Sequence, residues 1–129
     1  MEQTASANAS RKVLVADDEP NIVISLEFML KRAGYEVLIA RDGTQALEAI
    51  RTSHPRLVLL DASMPGMSGF DVCATVRADQ AFNDTRILML TAKGRETDMA
   101  RGMGAGADLY VTKPFSTRDL MEKVQGLMA

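Results

Sequence analysis

The chain is poor in cysteine and in aromatic residues: it has one cysteine, no tryptophan and 5% aromatic residues among 129 positions. A single thiol, Cys73, cannot close an intramolecular disulfide or build a multi-cysteine zinc site. Low cysteine usage is typical of proteins in a reducing compartment, and we expect a cytoplasmic protein. Apolar runs stay far short of the roughly 18–20 residues of a membrane helix, so we expect no membrane insertion.

The chain also lacks an excess of either charge sign. Fifteen Lys and Arg residues against seventeen Asp and Glu residues give a formal net charge of −2. Because such a chain has no field to draw it onto a phosphate backbone, we expect no direct binding of nucleic acid. Residues 1–10 are small and polar, without the apolar core of a secretory signal, and we predict a flexible tail there. Residues 11–129 have the length of one domain.

Short apolar runs recur along the chain and predict the strands of a sheet. The first, third and fourth runs are continuously apolar, which is typical of strands buried on both faces of a parallel sheet. The five runs are Val13–Ala16, Val37–Ala40, Leu57–Leu60, Ile87–Leu90 and Leu109–Val111. Helical patterns lie between them, so the order predicts an α/β fold with right-handed crossovers.

The predicted helices are marked by apolar stripes and by residues that suit helix ends. Pro20 stands at a first-turn position of the first helix and Gly34 at its C′ position. The stripe of that helix is Ile22, Leu26, Met29, Leu30 and Ala33. Asp42 or Gly43, Ser68 and Ser116 are the candidate N-caps of the second, third and fifth helices.

The fourth helical segment, around Arg95–Gly104, has the weakest pattern. Gly102 and Gly104 each cost ~1 kcal/mol relative to alanine inside a helix. We therefore expect a short and mobile fourth helix.

Polar residues stand where the predicted strands end, at the edge where parallel sheets bind ligands. Asp17, Asp18 and Glu19 follow the first strand, Asp61 the third, Thr91 the fourth, and Lys113 with Pro114 the fifth. Two like charges ~4 Å apart repel by about 4 kcal/mol at an effective dielectric near 20, so close carboxylates need counter-charges. Lys113 supplies one, and a hard divalent cation would supply two more. Ligand sets made only of oxygen favour Mg²⁺ or Mn²⁺ over zinc.

Structural roles compete with this interpretation. Any one of the aspartates could instead cap a helix, but the combination with Lys113 and Thr91 favours a functional site. Glu19 by itself is predicted to be a solvated loop residue. Lys93 is either a surface charge or a group that approaches a bound anion. His54 is predicted to lie in a loop that ends a helix, and Cys73 to be a small core residue.

Four segments, in order and one per strand end, resemble the receiver domain of bacterial two-component response regulators, over about Arg11 to Ala129. They are Asp17-Asp18-Glu19-Pro20, Asp61-Ala62-Ser63-Met64-Pro65-Gly66-Met67-Ser68-Gly69, Thr91-Ala92 and Tyr110-Val111-Thr112-Lys113-Pro114-Phe115. The chain is similar to the single-domain chemotaxis regulators of this family. The resemblance implies a flavodoxin-like (βα)5 three-layer sandwich whose parallel sheet has the order 2-1-3-4-5.

The resemblance also implies the roles of the site residues. Asp61 would accept a phosphoryl group from the phosphohistidine of a sensor histidine kinase or phosphotransfer protein. Mg²⁺, for which Mn²⁺ could substitute, would be bound by Asp18, by Asp17 mainly through water, by Asp61 and by the backbone carbonyl of Ser63. Lys113 would pair with Asp61 and then with the phosphoryl group, and the Lys113–Pro114 peptide would be cis.

A switch is implied as well. Thr91 would donate to a phosphoryl oxygen, the small Ala92 would leave room for it, and Tyr110 would turn inward. The fourth helix, fifth strand and fifth helix would then change their affinity for a downstream protein. The phosphoryl group would be lost slowly by autodephosphorylation, at a rate tuned by Ser63 and Lys93. The protein would be a signalling acceptor and not an enzyme, and a monomer or weak dimer.

Other functions stay open at this point. A scaffold that acts without phosphorylation would use the same fold. A phosphatase of the haloacid-dehalogenase type would place a second aspartate where this chain has Ser63. A nucleotide- or flavin-binding domain would need a phosphate loop where the acidic segment 17–19 repels phosphate. The chain is either a complete regulator, which Met1 and the tail favour, or a piece of a longer protein.

Overall fold

The computed structural model describes residues 10–92 and 96–129, in which five strands alternate with five helices. The strands are β1 (Lys12–Ala16), β2 (Glu36–Ala40), β3 (Leu57–Asp61), β4 (Arg86–Ala92) and β5 (Leu109–Lys113). The helices are α1 (Pro20–Arg32), α2 (Gly43–Ser53), α3 (Gly69–Arg77), α4 (Glu96–Ala105) and α5 (Thr117–Met128), with a 3₁₀ turn at Gln80–Phe82 before β4. Each predicted strand is confirmed, and Asp61, Thr91 and Lys113 lie inside strands instead of after them.

The sheet is parallel throughout and its order is β2-β1-β3-β4-β5, as the resemblance implied. The chain therefore reverses direction across the sheet between β1 and β3, which is the switch point where ligands bind in such folds. The register aligns Ala16 with Leu60 and Asp61 with Leu90. The residues at the carboxyl ends of the three central strands consequently share one edge.

Helices cover both faces of the sheet, which confirms the three-layer sandwich. One face packs α1 and α5 against side chains such as Val15 and Leu59. The opposite face packs α2 and α3 against the alternating neighbours, such as Leu14 and Leu60. Because β1 and β3 are covered on both faces, their apolar residues are buried. The edge strands β2 and β5 are mostly half-buried. Burial on both faces agrees with the continuously apolar sequences of the first and third runs.

The predicted helix ends are confirmed by side-chain caps. Asp42 Oδ1 accepts from Gln45 N at 2.8 Å, and Gly34 has a φ of +96° after the end of α1. Ser68 and Ser116 cap α3 and α5 in the same manner, each accepting from a backbone amide at 3.2 Å. The stripe of α1 is shifted from the prediction, because Val23 is buried with Leu26 and Leu30 while Ala33 is exposed.

Helix α4 contains ten residues, one more than α3, so it is not the shortest helix of the fold. Its mobility stays a prediction. The predicted tail, apart from Ser10, and Lys93 lie outside the residues that the structure describes. Within the described segments no helix combines the length and the apolar character needed to cross a bilayer.

Gly69 allows the start of α3 to pack directly against the end of β3. A Cβ on Gly69 would lie 2.1 Å from the carbonyl oxygen of Asp61, and the Gly69 amide donates to Ala62 O at 3.0 Å. We expect Gly69→Ala to lower the free energy of unfolding by about 1–3 kcal/mol, since the backbone must shift to admit the methyl group. Urea unfolding measures the change.

The matched control is Gly126→Ala, because a Cβ on this glycine of α5 meets nothing within 4 Å. We expect it to raise the free energy of unfolding by up to about 1 kcal/mol through helix propensity. Equal stability of the two variants would contradict the close approach at Gly69.

Candidate functional site

Three carboxylates meet where β1 and β3 end. Asp17 follows β1, Asp18 comes next, and Asp61 is the last residue of β3. One carboxylate oxygen from each lies within 4.8 Å of the other two. Asp17 is fully buried and Asp61 is 5% exposed, whereas Asp18 is exposed. The convergence that the sequence predicted for these residues is therefore confirmed.

Lys113, at the end of β5, brings a positive charge into the same site. Its Nζ lies 2.8 Å from Asp17 Oδ2, 2.9 Å from Glu19 Oε1 and 3.7 Å from Asp61 Oδ1. The ion pair with Asp61 is present, but the two shorter contacts go to Asp17 and Glu19. Glu19 is therefore part of the charge cluster, and its prediction as a solvated loop residue was incomplete: the side chain is 59% exposed, yet it holds the lysine.

Backbone amides help to hold the buried carboxylates. The Glu19 amide donates to Asp17 Oδ1 at 2.9 Å, and the Ser63 amide donates to Asp61 Oδ1 at 3.3 Å. Asp17 Oδ2 has no aligned hydrogen-bond donor, although the ammonium of Lys113 is 2.8 Å away. The buried pair thus depends on Lys113 for much of its neutralisation.

This donor set fits a hard divalent cation. The three aspartates offer only oxygen atoms at short mutual distances, which suits Mg²⁺ or Mn²⁺. Among the described residues, one ammonium against the carboxylates of Asp17, Asp18, Glu19 and Asp61 leaves a net charge of −3 at the site. A bound divalent cation would lower that charge and the repulsion that accompanies it.

The environment shifts the ionisation of both central groups. Burial, followed by the neighbouring charge of Asp17, raises the pKa of Asp61 to about 6, although Lys113 and the Ser63 amide act in the opposite direction. For Lys113, burial by itself lowers the pKa, but its close contacts with the carboxylates of Asp17 and Glu19 outweigh it and the net pKa is raised. At neutral pH, Lys113 is therefore an ammonium, and the carboxylate form of Asp61 predominates.

The remaining predicted residues take the following places. Thr91 is buried in β4, one residue beyond the partner of Asp61 in the sheet register. Tyr110 is half-buried on β5 and packs against the core on the α2 and α3 side. The Lys113–Pro114 peptide is cis. Ser63 is exposed, two residues after Asp61.

Two residues with reactive side chains lie away from this edge. His54 Nε2 is 3.3 Å from Asp84 Oδ1, and its ring packs on Phe82 with a centroid distance of 5.0 Å. Cys73 is fully buried in the core, and burial raises its pKa to about 11. Both positions agree with the structural roles that the sequence predicted.

Replacing Asp61 by asparagine removes a carboxylate whose ionisation the folded protein disfavours. The folded state keeps the proton up to about pH 6, whereas the unfolded chain has the ordinary pKa of 3.8. The stability that this group contributes is therefore lost as the pH rises through this window. Without divalent metal, we expect Asp61→Asn to be the more stable protein by on the order of 2 kcal/mol near pH 7.5, and to have little advantage near pH 4.

Urea unfolding in EDTA at both pH values measures this difference. Asp71→Asn serves as the control, since Asp71 is an exposed carboxylate in the first turn of α3 and its replacement should not stabilise the protein. An Asp61→Asn protein that is less stable than wild type at neutral pH would contradict the strained carboxylate.

Comparison with known proteins agrees with this geometry. Residues 13–125 match the family described as the response regulator receiver domain. A Chloroflexus aurantiacus protein superposes with a TM-score of 0.87 at 34% identity, covering 92% of this chain and 98% of that one. The chemotaxis response regulator CheY4 of Vibrio cholerae gives 0.84 at 33% identity, with coverage of 92% and 98%. The Francisella response regulator 1452 receiver domain gives 0.83 at 32%, with coverage of 91% and 95%. The chain belongs to the receiver domains of response regulators.

Proposed function

We propose that this protein is a phospho-accepting signalling module in which Asp61 carries the phosphoryl group. The observation that supports the proposal is the buried Asp61 carboxylate, which lies 3.7 Å from the Lys113 ammonium and within 4.8 Å of the oxygens of two further aspartates. Phosphoryl transfer needs a positioned nucleophile and positive charge for the phosphoryl oxygens, and little further chemistry from the protein.

In the proposed reaction, a carboxylate oxygen of Asp61 forms a bond to the phosphorus of a donor phosphohistidine. The phosphorus–nitrogen bond breaks, its electron pair goes to the imidazole, and the imidazole nitrogen takes up a proton. Lys113 lies where its positive charge can attract the phosphoryl oxygens of the resulting acyl phosphate. Water later attacks the phosphorus, releases inorganic phosphate and regenerates the Asp61 carboxylate, which is the slow autodephosphorylation.

Asp17, Asp18, Asp61 and the backbone carbonyl of Ser63 would hold Mg²⁺, with Mn²⁺ as a substitute. Bound there, the ion would supply charge neutralisation to the phosphoryl oxygens. The carboxylate cluster supports this assignment, because its net charge of −3 would otherwise repel an anionic donor.

The donor in this proposal is a sensor histidine kinase or a phosphotransfer protein, and the output is a contact with a downstream protein. Conversion of Asp61 to an acyl phosphate adds negative charge beside β4, where Thr91 is buried one residue beyond the strand partner of Asp61. Movement of Thr91 toward that charge, followed by Tyr110, would change the surface of α4, β5 and α5. The protein would act as a signalling acceptor without turnover of a separate substrate.

Asp61→Asn should abolish phosphorylation. We expect the wild type to gain one HPO₃ group from acetyl phosphate and Mg²⁺, because the carboxylate is the only nucleophile in this proposal, and the asparagine variant to gain none. Intact-protein mass spectrometry after short incubation measures the gain, and EDTA should prevent it.

Asp71→Asn is the control and should be labelled as well as the wild type, since Asp71 lies on the exposed face of α3. Undiminished labelling of Asp61→Asn would reject Asp61 as the acceptor. Continuous release of phosphate from small esters would favour the phosphatase alternative instead.

The phosphoryl group should change the dynamics of α4 through Thr91. We expect a phosphoryl mimic to alter hydrogen exchange at the amides of Glu96–Ala105 in the wild type, and not in Thr91→Ala, which keeps Asp61 but lacks the hydroxyl. Hydrogen-exchange mass spectrometry compares the two proteins. Identical protection of this helix with and without the mimic in the wild type would refute the proposed switch.

A further inference from the structure

The ammonium of Lys113 is directed toward two carboxylates other than the proposed acceptor. An ammonium has three donors, and the contacts of Lys113 with Asp17 and Glu19, at 2.8 and 2.9 Å, are of hydrogen-bond length. Asp61 lies at 3.7 Å, which is an ion pair without a hydrogen bond. A phosphoryl group on Asp61 would therefore have to compete with the carboxylates of Asp17 and Glu19 for the ammonium of Lys113.

The side chain of Glu19 is not used for the local structure at its own position. Glu19 is the N-cap residue of α1, yet its side chain makes no capping hydrogen bond. Serine, threonine, aspartate and asparagine are the residues favoured at such positions, and Pro20, which has no amide hydrogen, follows directly. The longer glutamate instead reaches Lys113, which is 94 residues away in the sequence.

The two partners of Lys113 differ in how easily they can be replaced. Asp17 is fully buried, and its other oxygen accepts from the Glu19 amide at 2.9 Å. The Glu19 side chain is 59% exposed, so water can solvate its carboxylate when the lysine leaves. Exposed ion pairs contribute little to stability, whereas an unpaired buried carboxylate is costly. Glu19 is consequently the partner that the lysine can give up.

We propose that Glu19 is a positioning residue that holds the ammonium of Lys113 while Asp61 is unmodified and releases it to the phosphoryl group. This inference rests on the proposed function. Its consequence is that Glu19 opposes phosphorylation in two ways: it competes for Lys113, and its negative charge repels an anionic donor. Removing that charge should favour the phosphorylated state.

The experiment measures binding of beryllofluoride, an anionic mimic of the phosphoryl group, at saturating Mg²⁺. Glu19→Gln keeps the length of the side chain and the backbone amide that binds Asp17. We expect it to bind the mimic roughly two- to fivefold more tightly than the wild type, as for the loss of one exposed charge pair. Acetyl phosphate should show the same preference through a lower half-saturating concentration, with a smaller change in the maximal rate.

Glu36→Gln is the matched control, since it removes the same charge from an exposed residue. Glu36 lies at the amino end of β2, whereas the site lies at the carboxyl ends of the strands. The Glu36→Gln variant should bind the mimic like the wild type. Glu19→Asp keeps the charge on a shorter side chain, so its affinity should lie between those of the wild type and Glu19→Gln. The ¹⁵N signal of the Lys113 ammonium, assigned by its loss in Lys113→Ala, should move in metal-free Glu19→Gln and not in Glu36→Gln.

Equal or weaker binding by Glu19→Gln than by Glu36→Gln, or an unchanged ammonium signal, would overturn the inference while leaving the proposed function intact. A wild type that neither binds beryllofluoride nor is labelled by acetyl phosphate would instead overturn the proposed function, and this inference with it. The two failures are therefore distinguishable.

Discussion

The site depends on the repulsion between carboxylates that the sheet brings together and, among the residues that the structure describes, on the ammonium of Lys113 that opposes it. Two like charges ~4 Å apart repel by about 4 kcal/mol at an effective dielectric near 20. Asp17 and Asp61 are both buried, so water screens their charges poorly. Lys113 contacts both residues and Glu19 as well, which makes it the centre of the charge balance. Burial, followed by the charge of Asp17, raises the pKa of Asp61, and Lys113 offsets these two effects only in part.

The excess of negative charge at this edge of the sheet would favour a bound cation. A bound divalent cation would relieve part of the repulsion at Asp61, because it would lower the net negative charge around this carboxylate. The rigid scaffold makes the close approach of the carboxylates possible: the apolar residues of β1 and β3 are buried, and Gly69 lets α3 pack against the Asp61 carbonyl. The stability of the buried core thus compensates for the repulsion between the carboxylates at the carboxyl ends of β1 and β3, as is common at functional sites.

Much of the fold could be predicted because its signals are local. Continuous apolar runs marked the buried strands, and Ser68 and Ser116 marked helix starts that the structure confirms. The ends of the strands were less certain, since hydrogen bonding in the sheet continues past the last apolar residue to Asp61 and Lys113. The buried stripe of α1 includes Val23, which the prediction left out. Which residues of a helix are buried depends on how the helix packs against its neighbours, and local sequence does not fix that packing.

The sequence by itself determined the set of chemical groups: carboxylates, a hydroxyl and one lysine, each in the last residues of a strand or directly after it. The resemblance supplied the strand order that brings them together. Only the tertiary structure decided which carboxylates the lysine contacts. Glu19 lies one residue before a helix and gives no local signal of a partner, because its contact with Lys113 spans 94 residues and depends on distances that no spacing along the chain encodes.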